Sequence, residues 1–283
     1  MSLRKALFSG SWYPAEGRAC EDQIRQFLDE GKHRATTIAE PVGGIVPHAG
    51  WYFSGSIACN VIHRLAAHRS PDVVVVFGMH LHAASPRVIM PEGEWETPFG
   101  PLAVDASLAG EITRQYDFHL ESPTRFNQDN TIELQMPFIR YFFKDARVVA
   151  MGVPPADQTL DLAASVVAIA RDLGLDIVVI GSTDLTHYGP NYGFTTKGVG
   201  ADAVEWVRKE NDRSVIDAML RMDPQGVIRE ARNKDNACCS GAAAAAIAVG
   251  KTLGADKAEE LVYATSYDKS PGDSFVGYVG VLF

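Results

Sequence analysis

Side chains able to bind a metal or carry a proton are concentrated in four short stretches of the 283-residue sequence. They are Pro47-His48-Ala49-Gly50-Trp51, Gly78-Met79-His80-Leu81-His82, Gly181-Ser182-Thr183-Asp184-Leu185-Thr186-His187-Tyr188-Gly189 and Asp235-Asn236-Ala237-Cys238-Cys239-Ser240-Gly241. Neutral imidazoles from the first two stretches could share one ion, and a third protein ligand would leave positions open for a substrate. Pro47 restricts the backbone before His48 and Gly50 permits a tight turn after it, a pairing that would present the ring into a cleft. His80 and His82 are two residues apart and in extended chain face the same side. Candidates for the third ligand are Cys238, Cys239, Asp184 and Glu133. A cysteine at the start of a helix has its thiolate favoured by the helix dipole. The competing reading makes both cysteines small apolar core residues.

Asp184 and His187 are three residues apart, which puts them on one side of a helical turn. There the carboxylate would orient the ring and raise its basicity for acid/base work. The competing reading makes Asp184 a turn cap that His187 merely satisfies. Glu133 sits on an otherwise apolar stripe between Asn130 and Pro137 and reads either as buried and paired or as solvated. His33, His63, His68 and His119 have no partner that the sequence can name and read as structural or surface residues.

These stretches need elements that carry them to one place, and the hydrophobic pattern supplies them. Runs rich in β-branched residues at Val42–Val46, Asp72–Phe77, Arg147–Val153 and Leu175–Ile180 alternate with helical periodicity at Ser54–His68 and Gln158–Leu173. Ser54 is a candidate helix cap. Polar helices follow between Gly198 and Met222, then one opened by Asp223-Pro224, an Ala-rich helix Ser240–Leu253, and strands Glu260–Tyr267 and Ser274–Phe283. This alternation predicts an α/β fold in one domain over residues 1–283, a mostly parallel or mixed sheet with helices on both faces. Three of the reactive stretches directly follow predicted strands, the end at which open α/β sheets place their ligands. The irregular stretch Met90–Pro101 contains three prolines and reads as an active-site flap.

The composition limits the partners. A net charge of −9 with no basic run gives no footprint for nucleic acid or anionic lipid, leaving small molecules or proteins. No apolar stretch approaches the roughly 20 residues that span a bilayer. The polar start from Met1 to Gly10 does not resemble a secretory signal, and Cys20, Cys59, Cys238 and Cys239 read as free thiols, so a cytoplasmic location is expected.

Six stretches in chain order resemble the Memo family, including proteins called AmmeMemoRadiSam system protein B. They are Phe8-Ser9-Gly10-Ser11-Trp12-Tyr13-Pro14, Pro47 to Gly55, Thr97-Pro98-Phe99-Gly100, Thr131 to Phe138, Ser182 to Gly189 and the Cys238 cluster. The resemblance implies a fold shared with class III extradiol ring-cleaving dioxygenases, whose non-haem iron is held by two histidines and a glutamate. In Memo-like proteins the corresponding pocket has two histidines and a cysteine. It implies His48, His80 and Cys238 as ligands, with His82 and Cys239 as alternates, and Asp184 with His187 as the acid/base pair. Trp51, Tyr188 and Glu133 are assigned to substrate binding. The sequence departs from the family pattern in three places. Histidines stand one place either side of the expected second ligand, Cys239 replaces a glycine, and Asn130 replaces a common histidine.

Iron(II) is the metal the analogy implies, but a thiolate in place of carboxylate softens the site toward copper(I) or zinc. The expected function is a metal-binding protein with a dioxygenase-like pocket, an oxidoreductase for a small aromatic or other oxidisable molecule. The alternatives are an adaptor that binds a peptide, a metal or a protein of a radical-SAM system, and a cysteine–histidine hydrolase with Cys238 as nucleophile.

Overall fold

Strands built from consecutive β-branched residues are buried on both sides and form the middle of the sheet. The computed structural model describes residues 2–30 and 35–283. Its main sheet contains β1 (Gly43–Val46), β2 (Val73–Gly78), β3 (Val88–Ile89), β4 (His119–Leu120), β5 (Arg147–Gly152), β6 (Ile177–Ser182), β7 (His187–Tyr188), β8 (Glu259–Thr265) and β9 (Phe275–Leu282). The order is β7–β9–β1–β6–β2–β5–β3–β4, with β8 paired antiparallel to β9 from Gly277 to Leu282. The central strands β1, β6, β2 and β5 run parallel, with Gly44 opposite Ile180 and Val75 opposite both Val179 and Val149. β9 and β3 run antiparallel to this centre, so the sheet is mixed.

The principal helices are α1 (Gly17–Asp29), α2 (Ser56–His68), α3 (Asp157–Asp172) and α4 (Ser240–Leu253). Alternate strand residues show that they cover both faces. A Cβ on Gly44 would strike Val61 of α2, whereas one on Gly181, in the strand beside it, would strike Ala242 and Ala246 of α4. The small side chains of α4 therefore let it lie directly on β6.

Two local expectations change. Ser54 does not cap α2, because a π-helical turn over Trp51–Gly55 runs into the helix and the Ser54 hydroxyl donates back to the Ala49 carbonyl. The 90–101 stretch is not a flap over the site. Glu94–Trp95 joins Leu3–Arg4 and Leu102–Ala103 in a separate three-stranded sheet, and no residue of the stretch lines the cavity that contains His48, His80 and His187. Buried Arg4 secures this sheet through Glu121 at 2.5 Å and lies over the rings of Trp95 and Phe126. His33 lies outside the described residues, and among the described residues no helix is long and apolar enough to cross a membrane.

Candidate metal centre

The parallel strands β1, β6 and β2 are neighbours, so the segments leaving their carboxyl ends meet above the sheet. β1 delivers His48, β2 delivers His80, β6 delivers Asp184, and the segment entering α4 delivers Cys238 and Cys239. One nitrogen from each histidine and the two sulfurs lie within 4.8 Å of one another.

Each part of this cluster is held differently. The His48 amide donates to Asp184 Oδ1 at 2.7 Å, and its carbonyl accepts from Asn130 at 3.0 Å. Its Nδ1 lies 3.1 Å from Ser182 Oγ, whose single proton is already donated to the Thr131 carbonyl at 2.7 Å. The ring must therefore donate from Nδ1, which turns Nε2 toward Cys238 Sγ at 3.3 Å. The Cys238 amide donates to the Asp184 carbonyl and that of Cys239 to Thr183 Oγ1, fixing both cysteines against the end of β6. The sulfurs are 3.8 Å apart.

His80 enters the cluster from the exposed side, after Met79 turns the chain through a φ of 71°. That turn removes the extended geometry expected of His80 and His82. His82 points outward, is exposed, and accepts from the Ala84 amide, so it is not part of the cluster.

The charges reinforce one another. Burial disfavours a charged His48, but Asp184 and Cys238 outweigh it and push its pKa up to about 9. Burial likewise opposes the Cys238 thiolate, yet the Cys239 thiol and the imidazoles of His48 and His187 hold its pKa well below the usual thiol range. Cys239 moves the other way, since burial and the neighbouring Cys238 keep it protonated.

Asp184 and His187 do not share a helical turn. His187 opens β7, paired to β9, and its Nε2 reaches Asp184 Oδ2 at 3.9 Å, the same separation as His48 Nε2 from that oxygen. His187 Nε2 is buried with no hydrogen-bond partner among the described residues, and Cys238 and Asp184 raise the ring's pKa against the effect of burial. Burial raises the pKa of Asp184.

A cavity of about 640 Å³ opens beside the cluster, lined by His48, His80, Asn130, Asp184 and His187 together with aromatic and hydroxyl side chains. A Memo-like protein family model matches residues 4–282. The chain belongs to the Memo family. A MEMO1 family protein of Pyrococcus furiosus is 34% identical to it over 99% of this chain and 98% of its own. Those of Thermococcus onnurineus and Pyrobaculum arsenaticum are 32% and 31% identical, each over at least 99% of both chains. Among solved structures, uncharacterized protein JW3007 from Escherichia coli is 12% identical with a TM-score of 0.46, over 85% of this chain and 98% of its own.

Within this Memo-family chain, the three residues assigned to substrate contact lie elsewhere. Trp51 is in the core, stacked on Phe138 at 4.1 Å with its indole N–H on the Leu134 carbonyl. Tyr188 is wholly buried, and its hydroxyl accepts from the Lys197 amide and donates to the Gly198 carbonyl. Glu133 accepts from the amides of Leu7 and Phe8 and from Tyr13, so it anchors the N-terminal turn and is not a ligand. That turn carries Ser11 and Trp12 into the cavity wall. Burial left these three no route to the pocket, a consequence of packing that residue type does not reveal.

Sequence reasoning also missed Ser182, the partner that orients His48. Its only signal was position, at the end of the most apolar strand.

The donor set fits a metal on chemical grounds. Two imidazoles and two sulfurs converge, one imidazole is already turned by an outer partner, and an unpartnered His187 nitrogen faces the same space.

Proposed function

We propose that this protein is a metal-dependent oxidoreductase acting on a small, uncharged aromatic molecule, with the ion held by His48, His80 and Cys238. The supporting observation is the convergence of those donors beside a cavity that His48 and His80 line and that is large enough for such a molecule. Imidazole and sulfur favour copper(I) or zinc over the iron(II) of the family analogy. When bound, the ion would supply a polarising or redox-active position beside the substrate.

The chain's own residues supply recognition and proton handling. Among the described residues lining the cavity there is no lysine or arginine and Asp184 is the one carboxylate, a lining that favours an uncharged ligand over a strongly anionic one. Aromatic faces from Trp12, Tyr52 and Phe53 and hydroxyls such as Ser266 and Ser274 suit a neutral ring bearing polar groups. His187, which lines the cavity beside Asp184, would accept a proton from a substrate hydroxyl, and Asp184 would stabilise the charged ring. A cytoplasmic setting suits this reading, since all four cysteines are free.

A second reading, binding without turnover, is favoured by the exposed Trp12, Tyr52 and Tyr192 at the cavity mouth, which could grip a peptide or a protein of a radical-SAM system.

Metal analysis of protein purified without added metal tests the common premise, with about one ion per chain expected. Oxygen uptake with a panel of catechols under iron(II) or copper(I) separates the readings. Saturable binding without uptake, for every catechol and either metal, would replace the oxidoreductase with the binding protein.

A further inference from the structure

We propose that Cys239 is a fourth ligand, so that this chain closes its ion in a tetrahedral site of two imidazoles and two thiolates suited to zinc(II) or copper(I). This rests on the reading of the cluster as a metal site and goes beyond it, because a three-ligand site keeps a position open and a four-ligand site does not. The distance between the sulfurs is the first support. With metal–sulfur bonds of about 2.3 Å, the sulfur–sulfur edge of a tetrahedron is about 3.8 Å. Cys238 and Cys239 are 3.8 Å apart. The Cys238 sulfur to His48 nitrogen distance of 3.3 Å is close to the edge of about 3.6 Å that the shorter metal–nitrogen bond gives.

The second support is that both sulfurs sit on backbone held in place. The Cys239 amide donates to Thr183 Oγ1 at 3.0 Å and the Cys238 amide to the Asp184 carbonyl at 3.2 Å. One turn on, Gly241 packs so closely on Pro154 that a Cβ there would come within 2.6 Å of its carbonyl. The start of α4 therefore has no room to slide, and the Cα–Cβ bonds of both cysteines stay beside the end of β6. A core cysteine needs only to fill space, but the Cys239 thiol is turned back toward Cys238, its hydrogen-bond partner.

The arrangement also assigns unequal duties to the four donors. His48 and Cys239 are buried and Cys238 is half-buried, whereas His80 is exposed on the Met79 turn. His80 is thus the ligand able to move aside when a molecule from the cavity approaches the ion.

Cobalt(II) titration of reduced, chelator-treated protein, followed by zinc(II) competition, tests the assignment. The wild type should take up one cobalt with tetrahedral absorption and the charge-transfer intensity of two thiolates. Cys239→Ala should still bind one cobalt, with about half of that intensity, and should bind zinc more than about 100-fold less tightly, beyond the loss typical of a residue that only orients a ligand. Cys239→Ser, which conserves size, serves the same purpose if the alanine variant does not fold. A Cys239 variant with the wild-type cobalt spectrum and zinc affinity would overturn the fourth ligand and leave the three-donor site intact. A wild type that takes up neither cobalt nor zinc would overturn the metal site itself.

Discussion

His48 and His80 lie with ring centroids 5.0 Å apart, yet the chain holds them in different ways. His48 is 1% exposed, with its amide and Nδ1 bonded to Asp184 and Ser182 at the end of β6 and its carbonyl to Asn130. His80 is exposed, follows a left-handed residue, and its ring makes no hydrogen bond among the described residues. The contrast extends to the surroundings. The floor contains His48, Ser182 and the paired cysteines, packed between β1, β6 and α4, whereas the rim contains His80, Trp12, Tyr52 and Tyr192, all open to solvent. Rigidity lies where donors must meet an ion, and freedom lies where a ligand must enter.

Removing a floor donor is the strongest way to break this comparison. His48→Ala or Cys238→Ser should reduce retained metal from about one ion per chain to almost none, while His80→Ala should keep part of it. Metal content after gel filtration measures the difference, and equal losses for all three variants would mean that the floor has no privileged role.

Asp212 tests how firmly the floor is backed. This buried carboxylate accepts from the Thr186 amide at 3.1 Å and the Tyr263 hydroxyl at 2.7 Å, one residue before His187. Burial pushes its pKa up to about 6 from an ordinary 3.8. A raised acid binds its proton more tightly in the folded state. Its contribution is therefore complete below about pH 4 and is lost as pH rises through about 6, amounting to about 3 kcal/mol of stability by pH 7. Asp212→Asn has no such proton to lose. Its stability relative to the wild type should rise by about that amount between pH 4 and pH 7, as read by urea denaturation, and a constant difference would contradict the shift.

The parts legible in the sequence were those governed by local pattern. β2 and β6 follow from runs of valine and isoleucine, and the position of His48, His80 and Asp184 after strands follows from strand order in this kind of sheet. The helix opened by Asp223-Pro224 was readable as well, from a proline that suits a first turn, and the structure adds the Asp223 carboxylate accepting from the Gly226 amide. What stayed hidden depends on distant residues or on backbone turns. Ser182 orients a histidine 134 positions away, and Glu133 binds amides 125 and 126 positions away. The left-handed Met79 separates His80 from His82, and β pairing draws His187 out of a helical turn. No spacing rule contains these facts.

Ser182→Ala is a gentler probe of the floor. Losing the oxygen that accepts from His48 Nδ1 frees the ring to rotate or change tautomer, so metal affinity should fall by about 10- to 100-fold while the fold persists. Chelator competition measures the change, and an unaltered affinity would show that packing alone holds the ring.

The rim should respond least in stability and most selectively in binding. Trp12 is 42% exposed, with its ring edge-on to Phe8 at 5.0 Å, so Trp12→Ala leaves little unsatisfied and should change stability by no more than about 0.5 kcal/mol. Metal content should not change, because no donor touches that ring. Affinity for a catechol-type ligand should nonetheless weaken by about 1 kcal/mol as an aromatic face is lost from the cavity wall. The diagnostic result is this separation: a variant with wild-type metal content and melting temperature but a weaker ligand isotherm places recognition on the rim. Metal lost together with ligand affinity would join rim and floor into one unit and remove the distinction between a fixed base and an adaptable entrance.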